Sequence, residues 1–406
     1  MATTTKKPWT VMVYMAGDNS LDPEGVQDLK EMKKVGSTDK LNIVAQFDRA
    51  EGHVARRYYL RKGGIVTGDA VASLGAINTG DPKCLIDFIQ WGIKKYPADN
   101  YMLVLWNHGQ GWDDTDIYAN ERHRGLRRLA TGPIRHALFR PPVRNMLEKA
   151  DSDTIARAIL LDDNAKDFLD NLEMKKVMAD TAKLLKRKLD ILGMDACLMS
   201  MAEVGYQIRD SASYMLASEQ TEPGEGWPYQ TILGALAKNP AMTPRDLSAL
   251  IVYKYLASYT KDDGVTYSAC DLSKVVGLAT AVAALAAALK VSLKDSAARQ
   301  RILTVRNKVQ SYYVPDNIDL VDFCSLLAGA GADSATTVAC QNVIKAVKSA
   351  FVMAQGYKGA DMKNSNGVAI YFPLQSVSPL YAGLDFSKKT GWDTFLQAYL
   401  SAIRSR

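Results

Sequence analysis

The first half of the chain alternates between short apolar runs and longer amphipathic segments. The short runs predict β-strands at 10–17, 41–48, 56–61, 101–106, 156–161, 188–194 and 213–219. The longer segments carry apolar residues at helical spacing and predict helices at 23–35, 82–96 and 168–188. Because alternating strands and helices are typical of α/β proteins, we predict a mostly parallel sheet flanked by helices.

The second half changes character from about Thr243, where helical patterns dominate. Helices are predicted at 244–260, 275–291 and 335–353, before one late strand near 367–373. We therefore divide the chain into a core, 1–250, and a largely helical C-terminal lobe, 251–406, whose late strand is free to rejoin the main sheet. The alanine-rich stretch 275–291 falls short of the roughly twenty apolar residues of a membrane span. It predicts a buried helix and no membrane anchor.

Composition fits a sizeable globular protein. The 406 residues are 47% hydrophobic and 23% charged, which excludes disorder for most of the chain. The net charge of +6 is modest and has no basic stripe with interleaved aromatic residues, so it does not indicate nucleic-acid binding. The five cysteines are odd in number, widely spaced and free of CxxC pairs, so we predict neither a disulfide framework nor a metal site.

Much of the positive charge lies in one stretch, 118–157, between two predicted strands. Gly132, Pro133, Pro141 and Pro142 make a continuous helix or strand there improbable, so the stretch predicts a long exposed loop. Loops of this length are usually functional or disordered, and their exposed tips are preferred sites of proteolysis. A solvated basic arm that binds an acidic partner is the alternative interpretation.

His108 and Cys197 each follow an apolar strand, in the runs NHGQGW and MDACLM. Because the carboxyl ends of parallel strands open onto one crevice, an imidazole and a thiol can share a site there. The imidazole would take the thiol proton, and the backbone N–H groups of Gly109 and Cys197 could hold an oxyanion. The alternative is structural, with a cysteine acting as a small buried hydrophobe and a histidine satisfied within the core.

The order of these motifs resembles the clostripain family of caspase-like cysteine peptidases. The resemblance rests on His-Gly and, about ninety residues later, Asp-Ala-Cys, together with WTVMVYMAGDNSLD, ASEQTEPGEGWPY and NGVAIYFP in the same order. It implies a caspase-like fold and a cysteine endopeptidase in which His108 and Cys197 form the catalytic dyad. Peptide or protein substrates would be its partners.

The resemblance also implies cleavage after Arg or Lys. Asp195, two residues before Cys197, is the first choice for the carboxylate that binds the basic side chain, and Glu225 is the second. The alternative for Asp195 is a capping role at the helix predicted over 198–208.

Family members mature by cutting a linker at the place of the basic stretch, which implies self-processing here. The candidate bonds follow Arg122, Arg124, Arg127, Arg128, Arg140, Arg144, Lys149 and Arg157.

Two other functions stay open. A catalytically silent caspase-like interaction module is one. The other is a magnesium-dependent phosphoryl-transfer domain, because Asp18, Asp48, Asp113 and Asp114 also follow apolar strands. We expect no required cofactor, and calcium dependence, familiar from some relatives, stays open.

The N-terminal residues lack a secretory signal, so the sequence as written predicts a cytoplasmic protein. Relatives are often exported, and a chain whose signal had been removed would be secreted.

Overall fold

The computed structural model describes residues 6–113 and 159–404. In these ranges the strands are β1 (Lys7–Gly17), β2 (Leu41–Arg49), β3 (Ala55–Tyr59), β4 (Ala70–Gly75), β5 (Ala98–Trp106), β6 (Ile159–Asp162), β7 (Asp167–Leu169), β8 (Leu189–Asp195), β9 (Ala212–Ala217), β10 (Thr266–Asp271), β11 (Asn317–Asp319), β12 (Val352–Tyr357) and β13 (Ala369–Tyr371). The helices are α1 (Asp22–Val35), α2 (Pro82–Lys95), α3 (Asn171–Leu185), α4 (Ala202–Ile208), α5 (Tyr229–Lys238), α6 (Pro244–Ser258), α7 (Val275–Ser292), α8 (Ser296–Arg306), α9 (Leu320–Gly329), α10 (Ser334–Ala346), α11 (Asp385–Thr390) and α12 (Trp392–Arg404).

Nine strands form one mixed sheet in the order β12-β10-β9-β8-β5-β1-β2-β3-β4. The five central strands, β9-β8-β5-β1-β2, run parallel, and the strands at both edges are antiparallel. Parallel neighbours need crossover connections, which the helices between the central strands supply. The predicted α/β fold with flanking helices is therefore confirmed.

The central strands are buried on both faces because helices cover both sides of the sheet. Successive side chains of β1 point to opposite faces. Met12 and Tyr14 join the core under α2 and α3, whereas Val13 joins the core under α1, α5 and α6. This double burial explains why the central strands appear in the sequence as continuous apolar runs.

The main helices begin where capping residues predict. Asp81 accepts a hydrogen bond from the Lys83 N–H at the start of α2, where Pro82 occupies the first turn. Asp170 and Glu173 form a reciprocal capping box that starts α3. The predicted helix over 168–188 is therefore shorter at its N-terminal end.

Other differences from the sequence prediction lie at the edges of the sheet. Strands β4, β10 and β12 were not predicted, and β10 and β12 extend the main sheet with residues from beyond position 250. The late strand is β13, which pairs with β11 in a separate two-stranded sheet. The predicted strand at 156–161 is β6, which pairs with β7 outside the main sheet.

The alanine-rich segment is helix α7, as predicted. The range Leu272–Ser292 is long and apolar enough to cross a membrane by length and composition alone. One face of α7, including Leu278, Val282 and Leu285, is buried inside the protein and belongs to its largest core cluster. The same composition is found in core helices of globular proteins.

Candidate active site

Strand register brings His108 and Cys197 to the same edge of the sheet. On the parallel strands β5 and β8, Trp106 pairs with Asp195, and the Asn107 N–H donates to the Asp195 carbonyl over 3.3 Å. His108 and Cys197 each lie two residues beyond that pair. A Cβ atom added to Gly109 would lie 2.6 Å from the Cys197 carbonyl oxygen, so the two segments touch and a side chain at 109 would not fit.

The segment that carries His108 is fixed on its other side by Asn107. The Asn107 side chain exchanges two hydrogen bonds of 3.1 Å with the backbone N–H and C=O of Leu161, on β6. Gly109 forms an isolated bridge with Ile159. The His108 ring, partly exposed, places Nε2 3.3 Å from Ser20 Oγ, just after β1. Residues from three neighbouring segments therefore hold the imidazole at the rim.

Cys197 is 8% exposed as a residue, and burial raises the pKa of its thiol to about 12. The thiol is therefore uncharged at neutral pH in this state. Its Sγ atom accepts the Glu222 N–H over 3.2 Å, a contact that favours the thiolate once it forms. Leu198, directly after the thiol, has φ +64°, in the left-handed region that leucine rarely adopts. Such strain beside a reactive group is typical of functional sites.

Asp195 is buried beside the thiol and does not cap a helix. Its Oδ2 atom accepts hydrogen bonds from the Tyr229 hydroxyl at 2.8 Å and the Trp227 N–H at 3.3 Å. Helix α4 begins at Ala202 without a side-chain cap, so the capping alternative for Asp195 is wrong. Burial raises the pKa of Asp195 to about 7, and the two donors oppose that shift.

Two further acids lie near Asp195, and sequence reasoning missed both. Glu222 is 5% exposed, and burial together with the Asp195 charge raises its pKa well above its usual value. Asp28, on α1, accepts the Trp106 indole N–H over 2.7 Å, and burial and Asp195 raise its pKa likewise. Glu222 was visible in the motif TEPGEGW, whereas nothing local marks Asp28. Glu225, the second predicted pocket acid, is exposed on the same loop.

The aspartates of the magnesium alternative do not form a metal site within 6–113 and 159–404. Asp18 binds the His53 ring at 2.8 Å, and Asp48 is buried nearby with its pKa raised to about 7 by burial and by Asp162. Asp113 lies on the side of Asp316 and Tyr371 instead. In the described part of the chain no group of three or more His, Cys, Asp or Glu side chains is arranged to hold a metal ion. Asp114 and the candidate processing residues lie outside the described residues.

The model of the clostripain family matches residues 13–143 and 146–399. Clostripain from Hathewaya histolytica is 28% identical over 253 residues. That alignment covers 55% of this chain and 41% of the relative, so the match spans less than half of the relative's length.

Two solved structures are similar over nearly the whole chain. One is a secreted C11 cysteine protease from Bacteroides thetaiotaomicron in complex with an irreversible peptide inhibitor, at 21% identity and TM-score 0.64, covering 95% of this chain and all of that one. The other is an inactive zymogen C11 protease from Parabacteroides distasonis, at 22% identity and TM-score 0.63, covering 96% and 99%. At these identities the likeness shows the fold, and it confirms the predicted caspase-like architecture.

Proposed function

Because this chain belongs to the clostripain family of cysteine peptidases, we propose that it cleaves peptide bonds after Arg or Lys with Cys197 as the nucleophile and His108 as its base. The observation that carries this proposal is the pairing of Trp106 with Asp195, which aligns the two segments two residues before the imidazole and the thiol. The backbone contact of Gly109 with Cys197 supports the same pairing.

In the proposed reaction His108 takes the thiol proton as the Cys197 sulfur attacks the carbonyl carbon of the scissile bond. The high pKa of the buried thiol, about 12, makes such a base necessary. The N–H groups of Gly109 and Cys197 would hold the negative charge on the carbonyl oxygen. The departing amine then takes the proton from the His108 imidazolium, and water hydrolyses the thioester left on Cys197.

Asp195 supports the preference for a basic residue before the cleaved bond. It is a buried carboxyl two residues from the nucleophile, and within the described ranges no Lys, Arg or His side chain forms an ion pair with it. A guanidinium or ammonium group of the substrate would supply the missing positive charge. Glu225, exposed on the neighbouring loop, would add a weaker contact at the entrance.

Self-processing within 118–157 is part of the proposal. Residues on both sides of this stretch are tied together by the Asn107–Leu161 and Gly109–Ile159 contacts. Two pieces produced by cleavage between them would stay associated, since β5 and β8 remain neighbours in one sheet. His108 and Cys197 would then lie on different pieces.

Mass spectrometry of the purified protein beside a Cys197→Ala variant tests the proposal. We expect wild-type protein to be cut after a basic residue between Arg122 and Arg157 and to hydrolyse Arg and Lys reporter peptides. The variant should stay intact and inactive, because it lacks the nucleophile. A variant cut as readily as the wild type, or one that keeps more than a few per cent of the activity, would contradict the dyad. An inactive wild type would favour the silent interaction module. Assays with and without chelator report on calcium.

A further inference from the structure

Three buried carboxyl groups lie close together in the interior around Asp195. Asp28, Asp195 and Glu222 come from α1, from the end of β8 and from the loop after β9, and each is at most 5% exposed. No Lys, Arg or His nitrogen of residues 6–113 or 159–404 lies within 4 Å of these carboxyl groups. Buried charges in proteins are normally paired, so this cluster is unusual.

Glu222 is the least satisfied of the three. Neither of its carboxyl oxygens has a hydrogen-bond partner of standard geometry, although the Tyr255 hydroxyl, the Ala196 N–H and the Asp195 carboxyl lie beside it. Asp195 has the Tyr229 and Trp227 donors, and Asp28 has the Trp106 donor. A buried polar group without a partner destabilises the fold. The fold bears that cost directly beside the nucleophile, which the Glu222 N–H contacts.

We propose that Glu222 is a second cation-binding carboxyl for the basic side chain of the substrate, and that it shares a proton with Asp195 until that side chain enters. The inference rests on the proposed Arg or Lys specificity and deepens it. Entry of a guanidinium or ammonium group lets the pair release its proton to solvent and gives the free Glu222 oxygens a donor. The empty pair then carries one negative charge, and the occupied pair carries two, one of which the bound cation balances.

The surroundings of Glu222 favour this behaviour because no cationic group is found beside it among the described residues. The titratable groups that face Glu222 are Asp195, Cys197, Tyr255, Tyr259 and Tyr267. Asp28 and Tyr229 face Asp195, and Glu225 faces Tyr259. Burial and carboxyl–carboxyl repulsion both raise the pKa of Glu222. The arriving cation opposes both effects, so its affinity increases with pH as the pair ionises.

The test uses kcat/KM on an Arg reporter peptide, measured across a range of pH for the wild type and for Glu222→Gln. The quantity compared is the wild-type value divided by the variant value at each pH. Glutamine keeps the size of the protonated acid and cannot ionise. The ratio should lie near one at about pH 5.5 and rise to about tenfold at pH 8.5, which corresponds to a one-unit change in the pKa of the pair. Titration of His108 and Cys197 affects both proteins and cancels in the ratio. A peptide with citrulline in place of Arg should give a flat ratio.

Calorimetry on the wild-type protein tests for release of the shared proton, and it does so even if Glu222→Gln folds poorly. N-acetyl-arginine amide, titrated near pH 6.5 in two buffers of different ionisation enthalpy, should release roughly half a proton or more per molecule bound. A flat ratio on the Arg peptide, or binding without proton release, would overturn the role of Glu222 and leave Asp195 as the pocket acid. Wild type that neither cleaves Arg or Lys peptides nor binds the probe would instead overturn the proposed function.

Discussion

Two buried glutamates on the loop after β9 each lie against a buried aspartate. In one pair both carboxyl groups accept hydrogen bonds from the fold, and in the other pair only one of them does. Glu219 pairs with Asp319, and Glu222 pairs with Asp195. In the first pair, Glu219 accepts bonds from the Tyr312 hydroxyl at 2.7 Å and the Gly367 N–H at 2.9 Å. Asp319 accepts bonds from Asn366 and caps α9 through the Asp322 N–H. In the second pair, both Glu222 oxygens lack such donors.

The difference separates a structural pair from the pair that we propose for substrate binding. The Glu219–Asp319 pair ties the loop after β9 to β11, α9 and the segment before β13, so its donors come from the fold itself. The Asp195–Glu222 pair lies beside Cys197, and in our proposal the substrate supplies the donor that Glu222 lacks. Burial raises the pKa of acids in both pairs, so a raised pKa alone does not identify the binding site.

The largest expected effect comes from Asp195→Asn. Breaking a buried charge-assisted pair costs about 3 to 5 kcal/mol, so kcat/KM on Arg and Lys peptides should fall roughly 10²- to 10⁴-fold. Activity on a citrulline peptide should change far less. Unchanged kinetics on Arg peptides would place the pocket elsewhere, and a gain on Asp peptides would contradict an acidic pocket altogether.

Asp319→Asn tests whether the Glu219–Asp319 pair stabilises the fold without affecting substrate preference. The amide keeps one acceptor but repels the N–H and amide donors of Asn366, and it weakens the cap of α9. We expect a loss of about 1 to 3 kcal/mol in the free energy of unfolding, measured with urea. The preference for Arg over citrulline should stay at its wild-type value. A selective loss of Arg turnover would mean that the two pairs are not functionally distinct.

Gly226→Ala tests the packing around Asp195. An added Cβ would lie 2.9 Å from Asp195 Oδ1, and Gly226 has φ +54°. The carboxylate must shift, so kcat/KM on Arg peptides should fall by about tenfold, the equivalent of roughly 1.4 kcal/mol. Gly277→Ala in α7 is the matched control, because nothing lies within 4 Å of its added Cβ. That variant should retain activity and gain up to about 1 kcal/mol of stability. Equal kinetics in the two variants would argue against a close fit at Asp195.

The smallest expected effect is on the pH dependence of the free energy of unfolding. The pKa of Asp319 is raised to about 6 and that of Asp195 to about 7, so the folded protein binds protons more tightly than the unfolded chain. The free energy of unfolding should therefore decrease as pH rises from about 4 to 7. Glu219→Gln should make this decrease shallower, whereas Asp180→Asn, exposed on α3, should leave it unchanged. A free energy that increases over that range would contradict the raised pKa values.

The sequence predicted the parts of the site that depend on strand position. His108, Cys197 and Asp195 follow recognisable apolar strands, and parallel strands bring their ends together. The proposed role of Glu222 depends on how the tertiary fold arranges hydrogen-bond donors around its carboxyl oxygens. No local sequence pattern predicts that arrangement. Likewise the residues of β10 and β12 are less uniformly apolar, and the place of these strands in the sheet depends on long-range pairing of β10 with β9 and of β12 with β10.

In the proposed function, Cys197 is the nucleophile of a peptidase directed to basic residues. Peptide mapping after treatment with an arginyl chloromethyl ketone peptide tests this role, because four other cysteines serve as internal controls. Cys270, Cys324 and Cys340 are buried, and Cys84 is partly exposed. We predict one adduct, on Cys197, which forms much faster than with the citrulline analogue and is absent from Cys197→Ala. An adduct mainly on Cys84, or equal rates for the two reagents, would contradict the claim.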